Sequence, residues 1–217
     1  MLTSMLDLSV SQLVTRLITL VIAFTVHEFS HAWVATRLGD DTPRLSGRLT
    51  LNPLAHLDPL GSLLLVVAGF GWAKPVPVNP YAVRSRTPAG MVLVSAAGPF
   101  SNLLLAILAA LPLRAGLVTD YGAPSGLLPS IGGFLLEFIY INLILLFFNM
   151  IPLSPLDGEK VVSYFLPPNL RAGYERLRPY GPMILFALFF LGSFLSFDVL
   201  GTLVSGPALR ILRLMIS

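Results

Sequence analysis

The chain has 217 residues, 55% of them hydrophobic and only 12% charged, with a mean hydropathy of +0.80. Soluble domains carry about 25% charged residues, so the composition excludes an ordinary soluble protein and describes an integral membrane one. Cysteine is absent and the formal net charge is +3. Any metal must therefore be held by His, Asp or Glu; no nucleic-acid partner is expected, because in a membrane protein Lys and Arg mark cytoplasmic loops.

The first predicted helix runs from about Leu8 to Leu38 and stops at Gly39, with Asp40-Asp41-Thr42-Pro43 as the break. Its start lacks the basic region and cleavage site of a signal peptide, so the helix is expected to be retained. Inside it lies Val26-His27-Glu28-Phe29-Ser30-His31-Ala32, an H-E-x-x-H stretch. On a helix, His27 and His31 stand one turn apart on one face and suit two corners of a tetrahedral zinc site. Glu28 points about 100° round from His27. From there it reaches a metal-bound water as a general base without ligating the metal. Two histidines and a glutamate are costly on so apolar a helix unless they have a partner or a task. The competing reading is a chance match with satisfied histidines. His31 precedes the Gly39 stop by eight residues, which places it about 12 Å below that end, inside the membrane but near one face.

Arg44 to Leu51 alternates loosely, and Leu45, Leu49 and Leu51 are expected on one face of a short strand or hairpin. Asn52-Pro53-Leu54-Ala55-His56-Leu57-Asp58-Pro59 reads as a boundary segment. Leu60 to Phe70 is apolar but far short of the about 20 residues a spanning helix needs, so a re-entrant or interfacial helix is expected. In Lys74-Pro75-Val76-Pro77-Val78-Asn79-Pro80 the alternate prolines force an extended chain. As a strand it would turn the N–H groups of Val76 and Val78 to one edge and pair on that side only; the competing reading is a rigid connector. Further spans are expected near Pro88–Leu111, Ile131–Ile151 and Pro182–Phe197, the first with small residues Ser95-Ala96-Ala97-Gly98 that allow close helix contact. Thr202–Ile216, with Arg210 and Arg213 among leucines, reads as an interfacial helix.

These elements predict an all-α membrane protein. It is a polytopic bundle of about four spanning helices, with a re-entrant or interfacial helix and a short β or extended membrane-associated segment. It forms a single domain over 1–217, with a catalytic core over about 8–166 and C-terminal helices over about 177–217. If 60–70 does not cross, Arg37, Arg44, Arg48, Lys74, Arg84, Arg86, Lys160, Arg171, Arg176 and Arg178 share one side and Arg114 lies opposite. The shared side is then the cytoplasm, and the active site faces it.

Two histidines and a water leave one corner of the zinc site open. The candidates are His56, Asp58, Glu137, Asp157, Glu159 and Asp198. Asp157 stands out, in Asn149-Met150-Ile151-Pro152-Leu153-Ser154-Pro155-Leu156-Asp157-Gly158. Prolines there free backbone carbonyls and open a cavity, and the same topology returns Asp157 to the face that holds His27 and His31. The competing reading is a capping box, with Ser154 as N-cap and Asp157 at N3.

His27-Glu28-Phe29-Ser30-His31, Gly98-Pro99-Phe100-Ser101-Asn102 and Asn149 to Gly158 resemble, in order, the three signatures of the site-2 proteases, which are intramembrane zinc metalloproteases. Asn52 to Gly61 and Gly71 to Pro80 resemble the compact prokaryotic branch without PDZ or other soluble domain. The resemblance covers about Leu8 to Leu166. One departure is Ser154, where the family often has a proline; here the proline is Pro155. The resemblance implies one zinc ion on His27, His31 and Asp157, with Glu28 as base, in a multi-pass protein of a prokaryotic inner membrane. Its partners would be the lipid bilayer and a transmembrane protein substrate. Asn102 and Asn149 are expected as polar contacts to an oxyanion or substrate, and Val76–Val78 as the strand that holds unwound substrate; the competing readings are that Asn102 only bridges helices and that Asn149 satisfies carbonyls freed by Pro152. His56 is a weaker candidate and reads more readily as a polar boundary residue. The alternatives are a metal-ion transporter and a non-catalytic binding member of the same family.

Overall fold

Helix α1 (Val10–Arg37) begins with a capping box, in which the Ser9 hydroxyl accepts from the Gln12 N–H and the Gln12 side chain accepts from the Ser9 N–H. It ends in a Schellman turn: Asp40 N–H donates to the Ala35 carbonyl and Gly39 N–H to that of Thr36, with Gly39 at φ 89°. The computed structural model describes residues 9–61, 64, 71–120, 129–194 and 201–217, with 189–194 described by backbone alone.

Where a strand or hairpin was expected over Arg44–Leu51, the chain instead makes a short helix, α2 (Thr42–Leu45), followed by a turn. Pro43 sits in its first turn, where the missing N–H costs nothing and the fixed φ suits a helix. Local helical chemistry thus overrides the loose alternation of leucines, and Leu45 and Leu51 are exposed. A 3₁₀ turn, Pro53–Ala55, is capped by Asn52. Beyond it, Leu57 and Ala73 form an isolated antiparallel bridge, and Lys74 N–H donates to the His56 carbonyl at 2.7 Å. The re-entrant segment expected over 60–70 lies outside the described residues except for Leu60, Gly61 and Leu64; its two flanks are joined by that bridge.

Helix α3 (Pro80–Arg86) starts on an Asn79 cap with Pro80 at its first turn. The apolar runs then give α4 (Gly90–Arg114) and α5 (Ile131–Asn149), which with α1 are the three described helices long and apolar enough to cross a membrane. These three pack on one another. The next helices are α6 (Asp157–Phe165), which packs on α4, and α7 (Pro168–Glu175). The fourth span expected over 182–197 is described only to residue 194, as α8 (Gly181–Phe194). Its 14 described residues run up to the edge of the described part, and 195–200 lie outside it.

The C-terminal α9 (Gly206–Ile216) does not lie apart as a separate interfacial element. Ala208 is fully buried with Ala106, Ala110 and Leu113 of α4 and Ile139 and Leu143 of α5, while Arg210 and Arg213 face outward. Ile211, Leu212, Met215 and Ile216 pack on that cluster, while Leu209 and Leu214 are exposed. Among the described residues the protein is mainly helical, and the only β pairing is the single bridge between Leu57 and Ala73.

Candidate metal centre

Burial of α1 against α4 brings both histidines to one point. His27 and His31 are 5% and 8% exposed, and their rings meet edge to face with centroids 4.7 Å apart. α4 crosses them at Gly98. A β-carbon there would stand 2.4 Å from His27 Nε2 and 2.5 Å from His31 Nε2, so only glycine leaves this space open. Pro99, buried next to it, removes one N–H from the helix ladder. One turn before Gly98, the Val94 carbonyl accepts from His31 Nδ1–H at 2.7 Å. The other histidine donates its Nδ1–H to Asn102 Oδ1, also at 2.7 Å.

Asp157 arrives from the loop after α5. It is the first residue of α6, with Leu156 as N-cap, and Ser154 makes no capping hydrogen bond. The capping box is not formed. Asp157 Oδ2 lies 3.2 Å from His27 Nε2 and 3.3 Å from His31 Nε2. Burial works against ionisation of this carboxyl, but the His31 and His27 imidazoles outweigh it and hold the group below the usual carboxylate range. The N-terminus of α6 also favours a negative charge there.

The donor set fits a zinc ion. A carbonyl oxygen can only accept, so His31 Nδ1 carries a proton, and Nε2, which faces Asp157 Oδ2, is the nitrogen whose lone pair the neutral ring would offer to a metal. A lone pair and a carboxylate oxygen at that separation repel, and either a proton on Nε2 or a metal cation between them removes the repulsion. Bonds of about 2.0–2.1 Å at tetrahedral angles put ligand atoms about 3.3 Å apart, the spacing seen from Asp157 to both rings. Each ring is also held through its outer nitrogen, as histidine ligands of metals generally are. Glu28 completes the cluster: one ligand-type atom each from His27, Glu28 and His31 lie within 4.8 Å of one another, and all three residues are buried.

The other candidates for the third ligand have different partners. His56 is fully buried with Nε2 on the Thr50 carbonyl at 2.7 Å. Asp58 Oδ1 accepts from Gly61 N–H, Glu137 pairs with Arg16 at 2.6 Å, and Glu159 pairs with Arg178 at 2.6 Å. Asp198 lies outside the described residues.

Two expectations change. Asn102, expected as an oxyanion contact, is fully buried; its Oδ1 holds His27 and its Nδ2 donates to Asn142 Oδ1. These contacts match the competing reading of an amide that bridges helices. Asn149 turns its Nδ2 back to the Leu145 carbonyl at 2.9 Å, as a helix-end amide does.

The extended segment does lie at the site, pinned by residues the sequence reading did not single out. Buried Arg48 donates from Nη1 to the Ala55 carbonyl and from Nη2 to the carbonyls of Lys74 and Pro75. Asp40, also buried, accepts from Asn79 N–H at 2.7 Å. Between these anchors, Val76 N–H donates to Glu28 Oε2 at 3.2 Å. Val76 was expected to offer that N–H to substrate, yet it instead holds the glutamate, because the segment lies directly over the H-E-x-x-H turn. Val78 packs its side chain on Ala35, Val83 and Val94, and its N–H has no hydrogen-bond partner among the described residues.

A membrane-grade helix carrying H-E-x-x-H, with a buried aspartate closing on both histidines, defines a helical membrane protein of the zinc-metalloprotease class. The comparisons agree. The chain is 44% identical over 187 residues to a Bacillus subtilis protein named "Putative zinc metalloprotease YwhC", covering 84% of each. It is 34% identical over 173 residues to the Mycobacterium tuberculosis Rip2 of the same description, and 31% over 166 residues to that of Mycolicibacterium smegmatis. Those alignments take in 78% and 75% of this chain but only 62% and 61% of the Rip2 chains. The chain belongs to the site-2 protease family. No family model matches it, and no solved structure does.

Proposed function

We propose that this protein is an intramembrane zinc metalloprotease that hydrolyses peptide bonds within or beside transmembrane segments, with its site towards the cytoplasm. The observation that carries this reading is the convergence of His27 Nε2, His31 Nε2 and Asp157 Oδ2 next to Glu28 on a helix apolar enough to span a membrane.

A zinc ion held by His27, His31 and Asp157 would supply an activated water and a Lewis acid for the scissile carbonyl. Glu28 is the base: its carboxylate stands beside the ligand atoms, and Val76 N–H fixes one oxygen. The other oxygen is left to take a proton and return it to the leaving amine. A helical substrate hides its carbonyls in its own hydrogen bonds and must unwind first. The free N–H of Val78 offers an unwound strand a backbone partner. A cleft of about 860 Å³ opens beside Pro75, between the start of α4 and α6–α7, and gives the strand an approach from that side.

The flanks of 60–70 support the cytoplasmic orientation. With Leu57 bridged to Ala73, the chain leaves and returns at one place, and the basic residues before and after it share a face.

The test is cleavage of a transmembrane peptide in liposomes by the purified wild type, with products mapped by mass spectrometry. Cuts within or beside the apolar segment that stop in Glu28→Gln support the reading; cleavage only of soluble peptides, or cleavage that persists in Glu28→Gln, opposes it.

A further inference from the structure

Midway along the apolar run of α5 stands one amide, Asn142, fully buried and two helices away from the glutamate and the H-E-x-x-H turn. Its Nδ2 donates to the Phe138 carbonyl at 2.9 Å. A carbonyl oxygen can only accept, so this contact orients the amide and turns Oδ1 towards α4. There Oδ1 accepts from Asn102 Nδ2 at 2.9 Å. That in turn directs Asn102 Oδ1 at His27 Nδ1, 2.7 Å away. An amide oxygen also only accepts, so Nδ1 carries a proton, and in the neutral ring Nε2 is the nitrogen with the lone pair.

We propose that Asn142 is a positioning residue for the metal centre: through Asn102 it fixes the orientation and tautomer of His27, so that Nε2 faces the zinc position as an acceptor. Reversing either amide would set donor against donor or acceptor against acceptor at its contacts, and in this apolar interior a mismatched amide is expensive. The two histidines are therefore held by different means. His31 rests on a backbone carbonyl of the neighbouring helix; His27 needs a relay of two side chains that ends on the backbone of α5. The inference rests on the reading of His27 as a zinc ligand.

The experiment measures zinc affinity of the full chain in detergent, by competition with a chromogenic chelator, and the absorption spectrum of the cobalt-substituted protein. Asn142→Leu removes the acceptor and frees Asn102 to turn. Zinc binding should weaken by ~10-fold to ~100-fold, as for other outer partners of metal-bound histidines, and the cobalt spectrum should change. Asn102→Asp gives His27 an acceptor that cannot be misoriented. In that background, adding Asn142→Leu should leave zinc affinity almost unchanged. If Asn142→Leu does not fold alone, recovery of folding and zinc binding in the Asn102→Asp background still supports the relay. Failure in both backgrounds overturns it, since the effect would not run through Asn102. Wild-type zinc affinity in Asn142→Leu, with only a lower melting temperature, also overturns it and leaves Asn142 a packing residue. A wild type that binds no stoichiometric zinc would remove the metal reading itself, and the relay with it.

Discussion

Gly98 shows how narrowly the site is built. Its missing β-carbon is the room in which both Nε2 atoms converge, so Gly98→Ala should push the imidazoles apart and abolish stoichiometric zinc while the far end of the bundle stays folded. Full zinc occupancy in that variant would mean the ligands meet elsewhere. Glu28→Gln should act on chemistry alone. Loss of general acid–base catalysis typically costs ~10²–10⁴ in rate, and zinc content should be retained, because the carboxylate is next to the ligands without being one; loss of the metal in Glu28→Gln would reassign Glu28 as a ligand. His27, Glu28 and His31 were legible in the sequence because helical spacing alone puts them on one turn. Asp157 was legible less directly, from its prolines and from topology. Asn102 was placed near the site, but its contacts with His27 and Asn142 were not legible, since they depend on how closely α4 approaches α1 and α5. Asn142 had a visible signal, a lone amide in an apolar run, but its meaning needs the facing residue on another helix.

Among the elements, the segment from Lys74 to Asn79 was legible in its conformation and not in its attachments. Alternate prolines forbid a helix there, yet nothing local to the segment shows that Arg48 and Asp40, 27 and 39 residues before their partners, will hold its two ends. The Arg44–Leu51 stretch failed for the opposite reason: alternation was read over too few residues, and Pro43 in a first helical turn decided the outcome. With Val76 N–H on Glu28, the donor available to substrate is Val78. Val78→Pro should remove it while keeping the chain extended. Zinc content should survive, and cleavage of a transmembrane substrate should fall more than cleavage of a short unfolded peptide. Equal rates on both would make the segment a connector. Arg48→Leu removes three carbonyl contacts made by one buried side chain, and amide exchange over 74–79 should quicken; unchanged protection would show that Asp40 and packing suffice.

For the whole molecule, the spans at α1, α4 and α5 were legible because a bilayer demands long apolar runs. The place of α9 was not, because an amphipathic helix covers a lipid surface and a protein surface with the same residues. The topology has a direct check in a chain without cysteine. Cysteines placed at Ser46, Ser85 and Arg171 should all react with an impermeant reagent only from the cytoplasmic side, and external labelling at Ser85 would contradict the orientation. The central claim is that one zinc ion sits where His27, His31 and Asp157 converge, and zinc-edge X-ray absorption of the purified chain tests it most directly. The account predicts one zinc per chain in a nitrogen and oxygen shell at about 2.0–2.2 Å, lost or visibly altered in Asp157→Ala. A wild type without stoichiometric zinc, or an identical shell in Asp157→Ala, would contradict it.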